Sequence, residues 1–522
     1  MKKYILILFT VLSAKAFSQI PEDALRYSWY PQSGTARNMA IGGAMGSLGG
    51  DITATFVNPA GIGFYKTGEF VLTPGILLNN NKANFRDMIT KGNKAGFQVG
   101  ASGLILGSVN RRKPRNSSAF SVAINQVANF KNLIHYSGYN NYSSFSEQFA
   151  EEYAKSGYSI DEIQNTLSPL PYTAAVAWDA YLIDTITING QKIIKAAPEY
   201  LLDSGMAVHQ DMYKKTGGGV YDFSLAYAQN IKDKVLWGVT LGIPYINYKS
   251  NTTFTETDTS SNTFNHFKSF IYNDEFTTSG VGFNLKLGVI FKPRDYIRLG
   301  LAVHTPTFMY LTDSRKTSLK TYLEDSLGKP EPVIESGSDR FTNNQPGESK
   351  YTQRSPWKAI LSASYVFRET ENVKKQKGFI TVDIEYVNHK ASRFSSDNQD
   401  ITPDQEATYK AYYKALNNVV KQQYKGAFNF RVGGELKFNI IMARLGFAYY
   451  SNPYKDAALK GNQMLLSGGL GYRNKGFFVD LTYVHRMTKD VNFPYRLEDR
   501  ANTYATLDQK SGNVVATVGW KF

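Results

Sequence analysis

The chain contains no cysteine, which excludes disulfides, thiolate metal sites and cysteine nucleophiles. Such a chain must hold itself together by backbone pairing and burial. Long apolar runs are scarce too. Past the first residues, nothing reaches the roughly 18 apolar residues of a membrane-spanning helix, and mean hydropathy is only −0.34. Charge of one sign is rarely concentrated. The formal net charge is +15, but lysine and arginine are interspersed with Asp, Glu and Asn. The one basic cluster, Arg111-Arg112-Lys113-Pro114-Arg115, reads as a solvated turn near lipid headgroups. No nucleic-acid reader motif accompanies it, so nucleic acid is not expected as a partner. The six histidines (His135, His209, His266, His304, His389 and His485) are isolated, with no HExxH pairing, and no GxSxG elbow is found. No catalytic residue, metal site, cofactor or enzymatic activity is expected.

What the chain has instead is aromatics, at 14% with 35 Tyr and 32 Phe, and alternation. Segments of about 10 residues repeat with period two, the pattern of a strand with one face in lipid. In Ala427–Ile440, Phe428, Phe430, Val432, Leu436 and Phe438 share one face, and Asn429, Arg431, Glu435 and Lys437 the other. In Gly282–Lys292, Phe283, Leu285, Leu287, Val289 and Phe291 oppose Asn284, Lys286 and Lys292. Fourteen such segments are predicted, at 68–79, 96–107, 118–130, 219–230, 234–249, 279–292, 296–309, 356–368, 378–390, 425–439, 441–452, 463–474, 475–488 and 512–522. A sheet in lipid cannot leave an edge unpaired, so the predicted fold class is all-β, a closed transmembrane antiparallel barrel. Arg431, Glu435, Lys437, Asp383, Glu385, Arg444, Asp480 and Arg298 fall on inward faces, where ion-pair ladders are expected.

The connections alternate in length. Tight turns at 231–233, 293–295 and 473–475 read as periplasmic, and the long segments 131–218, 250–278, 310–355, 391–424 and 489–511 as external loops. Helices are expected within them. Ser144-Phe145-Ser146-Glu147 reads as a capping box, Ser159-Ile160-Asp161-Glu162 opens a second helix, and Thr402-Pro403-Asp404-Gln405 a third. Their apolar stripes, Phe149 and Tyr153 in the first and Tyr409, Tyr412, Tyr413 and Leu416 in the third, either pack against neighbouring loops or form a groove for a greasy ligand.

Residues 1–18 carry a secretory signal: Lys2 and Lys3, an apolar Tyr4–Leu12, and Ala16-Phe17-Ser18 ahead of cleavage before Gln19. The far end alternates through Val514, Ala516, Val518, Trp520 and Phe522. A C-terminal aromatic resembles the signal by which the assembly machinery recognises outer-membrane barrels, so Phe522 is the expected contact with it. Between them, residues 19–67 are rich in small residues, from Ala40 through Gly49-Gly50-Asp51 to Asn58-Pro59-Ala60-Gly61. Neither GxGxxG nor a Walker lysine is present, and a compact stopper inside the barrel 68–522 is the predicted role.

This stretch, with Gly49-Gly50-Asp51 and Asn58-Pro59-Ala60, resembles the hatch of FadL/TodX-type outer-membrane transporters, in the version of Bacteroidetes-type bacteria that opens Pro21-Glu22-Asp23-Ala24-Leu25-Arg26-Tyr27-Ser28. The resemblance extends over the mature chain. It implies a location in the bacterial outer membrane, a fourteen-stranded barrel, and passive uptake of long-chain fatty acids or other hydrophobic molecules. It also implies a gate at Asn58, Pro59, Ala60, Gly61 and Asp51. Some barrels of this type in Bacteroidetes serve protein secretion as accessory components, and that alternative stays open. A TonB-coupled receptor would carry a far larger plug, and an open porin would need none.

Overall fold

In a computed structural model the chain is described over residues 19–156, 172–188, 191–260, 262, 265–324, 333–342, 344–367, 377–397, 403–457 and 459–522. The signal segment 1–18 and the helix start at Ser159 lie outside the described residues. So does Thr402, though the helix it was expected to open is described as Pro403–Gln423.

Fourteen antiparallel strands close on themselves. They are β1 (Glu69–Leu72 and Pro74–Phe85), β2 (Met88–Val99 and Ser102–Val109), β3 (Ser117–Asn129 and Asn132–Asn140), β4 (Val208–Ile231) and β5 (Val235–Asp258). Next come β6 (Ser269–Arg294), β7 (Ile297–His304 and Phe308–Tyr322), β8 (Gly347–Arg354 and Lys358–Phe367) and β9 (Gly378–Asn388 and Arg393–Ser396). The last five are β10 (Gly426–Phe438), β11 (Ile441–Tyr450), β12 (Gln463–Asn474), β13 (Phe477–Asn492) and β14 (Ala505–Lys521). β14 pairs with β13 on one side and with β1 on the other, where Phe70 faces Trp520 and Ile76 faces Val514. Among the described residues no helix is long and apolar enough to cross a membrane, so the strands do the crossing.

The alternation explains the wall. Along β5, Trp237, Leu241, Ile243 and Tyr245 point outward and are exposed, while Leu236, Thr240 and Ile246 point inward and are buried. Lipid is the only solvent that welcomes such an outer face.

Several strands run much further than the sequence reading allowed. β4, β5 and β6 have 24, 24 and 26 residues, beyond the 9–11 or so a membrane needs. Most of what was expected as external loop at 250–278 and 310–355 is a continuation of the barrel sheet. The reason is a change of phase. Within the membrane the apolar side chains face out, but above it Tyr248, Phe254, Phe270 and Tyr272 face in and are buried. Phe254, Phe270 and Tyr272 join Phe85, Phe145, Phe149, Tyr495 and Leu497 in an external core, and Tyr248 packs with Ala24, Leu25 and Tyr27. The 131–218 segment adds a hairpin, Ile183–Ile188 with Gln191–Ala196, and a helix, Tyr172–Asp179.

Among the described residues the wall has one seam. The Met88–Val99 half of β2 pairs with β1 alone, while the Asn132–Asn140 half of β3 pairs with β4 and passes behind β2. Side chains bridge the gap. Val99 N–H donates to Gln126 Oε1 at 3.2 Å, and Asn129 Nδ2 and Lys131 Nζ donate to the Phe97 carbonyl at 3.3 and 3.2 Å. Asn79 and Asn81 donate to the carbonyls of Lys131 and Leu133. β3 is bulged at this level, between Gln126 and Ala128.

Candidate functional site

Residues 19–68 precede β1 and lie inside the barrel. They enter at the external end, where Ala24, Leu25 and Tyr27 pack with Tyr351, Phe394 and the helix Pro403–Gln423. They then descend through two short helices, Ala36–Ala40 and Ala54–Val57, and a 3-10 helix, Pro59–Phe64. So short a segment has little core of its own, and it borrows the wall's. Ile52, Ala54 and Phe56 pack among Ala119, Ala123 and Ala226, and Ile41, Met45 and Val57 among Ala302 and Ile360.

Asn58 connects the plug both to itself and to the wall. It caps the 3-10 helix by accepting from Ala60 N–H at 3.1 Å. Its Nδ2 donates to Gly46 O inside the plug at 2.6 Å and to Val289 O on the wall at 3.3 Å. The fit is tight because wall positions are glycine. A Cβ on Gly288 would lie 1.8 Å from Asn58 Oδ1, and one on Gly446 would lie 2.1 Å from Gly42 N; only a residue without a side chain lets the two backbones approach this closely. Pro59 opens the 3-10 helix, with its backbone against Gly238. Ala60 packs on Leu236 and Ile290. Gly61 N–H donates to Asn58 O at 2.9 Å, and its carbonyl accepts from Gly50 N–H at 3.2 Å. Asp51 ties two plug turns together, accepting from Thr35 Oγ1 at 2.8 Å and Thr53 N–H at 2.9 Å. The five residues picked from the sequence thus form one connected unit at the middle of the plug.

Charged wall residues grip the same segment. Asp383 accepts from the backbone N–H groups of Met45 and Gly46, both at 3.1 Å. Arg298 donates to Leu48 O at 2.7 Å. Arg431 bridges Glu385 at 3.1 Å and Asp383 at 3.6 Å, and Arg444 bridges Glu435 at 2.6 Å and Asp480 at 2.5 Å. Arg37 of the plug reaches Glu435 at 3.4 Å. The ladder was readable from alternation, and its plug partners were not. Nothing local in the sequence points to Arg37, or to His304, whose Nε2 meets Val57 O at 2.8 Å.

A cavity of about 70 Å³ remains between the plug and the external core. Tyr27, Tyr30, Phe56 and Val127 line it, together with Asp222, Lys286, Lys358, Glu385 and Arg431. Lys286 is paired with Asp222 at 2.7 Å and Arg431 with Glu385. Lys358 lies 5.1 Å from the Tyr30 ring, with no carboxylate at ion-pair distance among the described residues. Val127 belongs to the β3 bulge, so the cavity abuts the seam. Its volume is far below the roughly 300–1,000 Å³ of pockets that enclose drug-sized ligands.

The six side chains considered for a ligand groove do not come together. Phe149 and Tyr153 sit in the external core, and Tyr409, Tyr412, Tyr413 and Leu416 cover the N-terminal segment. All six are buried. Tyr412 donates to Gln19 O at 2.8 Å and Tyr424 to Pro21 O at 3.0 Å. The capping box at Ser144 is half formed: Ser144 N–H donates to Glu147 Oε1 at 2.6 Å, but the Ser144 hydroxyl turns to Ser146 and Glu256. Burial pushes the Glu256 and Glu147 carboxyls up to about 7 in this external layer.

A closed barrel with an apolar outer belt, a charged lumen and a resident plug has the fold of an outer-membrane β-barrel. More narrowly, its fold is that of the FadL/TodX-type transporters. It is similar to a Pseudomonas aeruginosa FadL homologue at TM-score 0.53 and 13% identity, over 95% of this chain and 100% of the other. It is also similar to the toluene transporter TodX of P. putida at TM-score 0.50 and 13% identity, over 94% of this chain and 99% of that one. No protein-family model matches the chain, and no curated protein matches it in sequence.

Proposed function

We propose that this barrel admits hydrophobic and amphipathic small molecules, long-chain fatty acids among them, through the outer membrane by passive passage gated by its plug. The observation that carries the reading is the pairing of a plug held to the wall by hydrogen bonds and an ion pair, with no covalent cross-link, and a seam in the wall beside the lumen cavity. A greasy solute gains roughly 25 cal/mol per Å² on leaving water for an apolar site, so a water-filled pore would give it no advantage. The external layer captures it, the cavity receives it once the Asn58 unit shifts, and the seam between β2 and β3 offers a way out that avoids water. The closed cavity is too small for a long acyl chain, so occupancy requires that shift. A ligand drives it only by binding the shifted state better. Lys358 beside Tyr30 favours a solute with an anionic end over a neutral one.

Accumulation of a labelled long-chain fatty acid in cells lacking their own carrier tests the proposal. Expression of this protein should raise uptake, and an unchanged rate at normal surface expression would remove it. In the same reading Phe522, more than half exposed and bonded through its backbone to Gly68, serves as the mark read by the assembly machinery. Its removal should lower the amount of folded barrel.

A further inference from the structure

Two lysines turn into the gap of the seam. On β2, Lys94 falls on the same face as the buried Gly92 and Gln98, and its Nζ donates to the Thr216 carbonyl of β4 behind it. Lys131 stands at the break between the two halves of β3 and reaches the Phe97 carbonyl of β2 at 3.2 Å. Gly96 makes room for its stem, which a Cβ there would strike. Lys215 of β4 is close by, and its charge and that of Lys131 both act on Lys94. A single exposed lysine without a partner is ordinary. Here Lys94 and Lys131 are half-buried, stand within reach of each other's charge, and gain one backbone carbonyl each in return. Like charges drawn together in a partly dry gap repel, and an anion between them would relieve that cost.

The present bonds are exchangeable. The Phe97 carbonyl also accepts from Asn129 Nδ2 at 3.3 Å, so withdrawal of Lys131 does not strand it. A carboxylate is the stronger acceptor, since hydrogen bonds between ionised partners are roughly twice as strong as neutral ones.

The gap has an apolar side as well. Phe130, next to Lys131, meets Tyr27 edge-on at 6.0 Å and Tyr248 at 5.4 Å. Tyr27 and Val127 line the lumen cavity, and Val127 lies four residues from Lys131, no more than about 14 Å along extended chain. On the lipid side, Phe97 is exposed. Aromatic rings therefore run from the cavity toward the bilayer with lysines alongside, an arrangement that suits a solute with one long apolar part and one anionic end.

We infer that Lys94 and Lys131, with Lys215 beside them, form an anion-transfer site in the seam. It takes the carboxylate of a fatty-acid-like amphiphile and holds it while the acyl chain passes between β2 and β3 toward the bilayer. The site rests on the transport reading and narrows it: it makes the seam selective for a carboxylate amphiphile over a neutral one of equal length.

Uptake of labelled hexadecanoate and of labelled hexadecan-1-ol is compared in cells lacking their own carrier and expressing the full chain. In Lys94→Gln/Lys131→Gln the ratio of hexadecanoate to hexadecanol uptake should fall about tenfold, the factor that the loss of one charge-assisted hydrogen bond produces. Folding is checked by heat-modifiable migration. The charge-preserving Lys94→Arg/Lys131→Arg should keep the ratio. An unchanged ratio in the glutamine variant, or an arginine variant that loses it as fully, would overturn the inference. So would a glutamine variant that keeps the ratio but loses co-purifying lipid phosphate, which would make the seam a headgroup site of the membrane instead. A wild-type barrel that raises uptake of neither solute removes the transport reading itself, and the transfer site with it.

Discussion

Replacing Asn58 by alanine, alone and together with Gly288→Ala, separates a hydrogen-bonded gate from a passive filler. Asn58→Ala removes two donated bonds, to Gly46 O and Val289 O, and one accepted from Ala60 N–H. At a net 0.5–1.5 kcal/mol for each buried bond, the closed plug loses about 2–4 kcal/mol. At 1.4 kcal/mol per factor of ten, the displaced state gains roughly 30- to 700-fold in population. Gly288→Ala disturbs the same residue from the other side, since its Cβ would lie 1.8 Å from Asn58 Oδ1 and 2.8 Å from Asn58 Cγ. The next obstacle, Pro59 Cδ, is 3.1 Å away. With Asn58 already alanine, most of that clash disappears, so the double variant should leak no more than Asn58→Ala alone. Planar-bilayer recordings read this directly, as opening frequency per inserted barrel. Two results would refute the reasoning: wild-type leak in a correctly folded Asn58→Ala barrel, or additive effects of the two substitutions, since residues in contact should couple.

Further consequences concern the lumen ladder and the external layer. Arg444→Met leaves Glu435 and Asp480 facing each other without their shared cation, and should cost about 3–5 kcal/mol, measurable as a lower urea midpoint for barrel unfolding in detergent. Tyr412→Phe with Tyr424→Phe deletes the hydroxyls that hold Gln19 O and Pro21 O; at about 1 kcal/mol each, it should speed proteolysis of the N-terminal segment while barrel stability holds. Glu256 titrates near 7 when folded against an ordinary 4.5. Its contribution is therefore complete below 4.5 and is lost as pH rises through 7. Hydrogen exchange in the external layer, corrected for intrinsic rates, should be faster at pH 8 than at pH 5. Glu256→Gln should flatten that dependence, and an unaltered profile would count against it.

Each of the fourteen predicted segments corresponds to one barrel strand because hydrocarbon imposes one rule on the outer face of every strand, visible as the run from Phe428 to Phe438. The upper ends were not legible because that rule stops at the headgroups. Above them Phe254 and Tyr272 turn inward toward a core that exists only once the segments around Phe145 and Tyr495 have come together, so the pattern breaks phase in mid-strand. Within the plug, the Asn58 unit was visible as a motif, since its contacts are mostly local. Arg37, His304 and Lys358 carried no signal, because the partners Glu435, Val57 and Tyr30 lie hundreds of residues away in sequence. The aromatic stripe at Tyr409, Tyr412 and Tyr413 was legible as a stripe, but periodicity alone does not tell a covered face from a ligand-facing one.

The absence of native cysteine makes the central claim directly testable. Ser47 of the plug and Ser362 of the wall have their hydroxyl oxygens 2.7 Å apart, close enough for a Ser47→Cys/Ser362→Cys pair to meet disulfide geometry. Fatty-acid uptake by cells carrying this double variant should stop when the pair is oxidised and recover on reduction, while each single variant transports normally under both conditions. Uptake that continues at the full rate with plug and wall covalently joined would contradict gating by the plug.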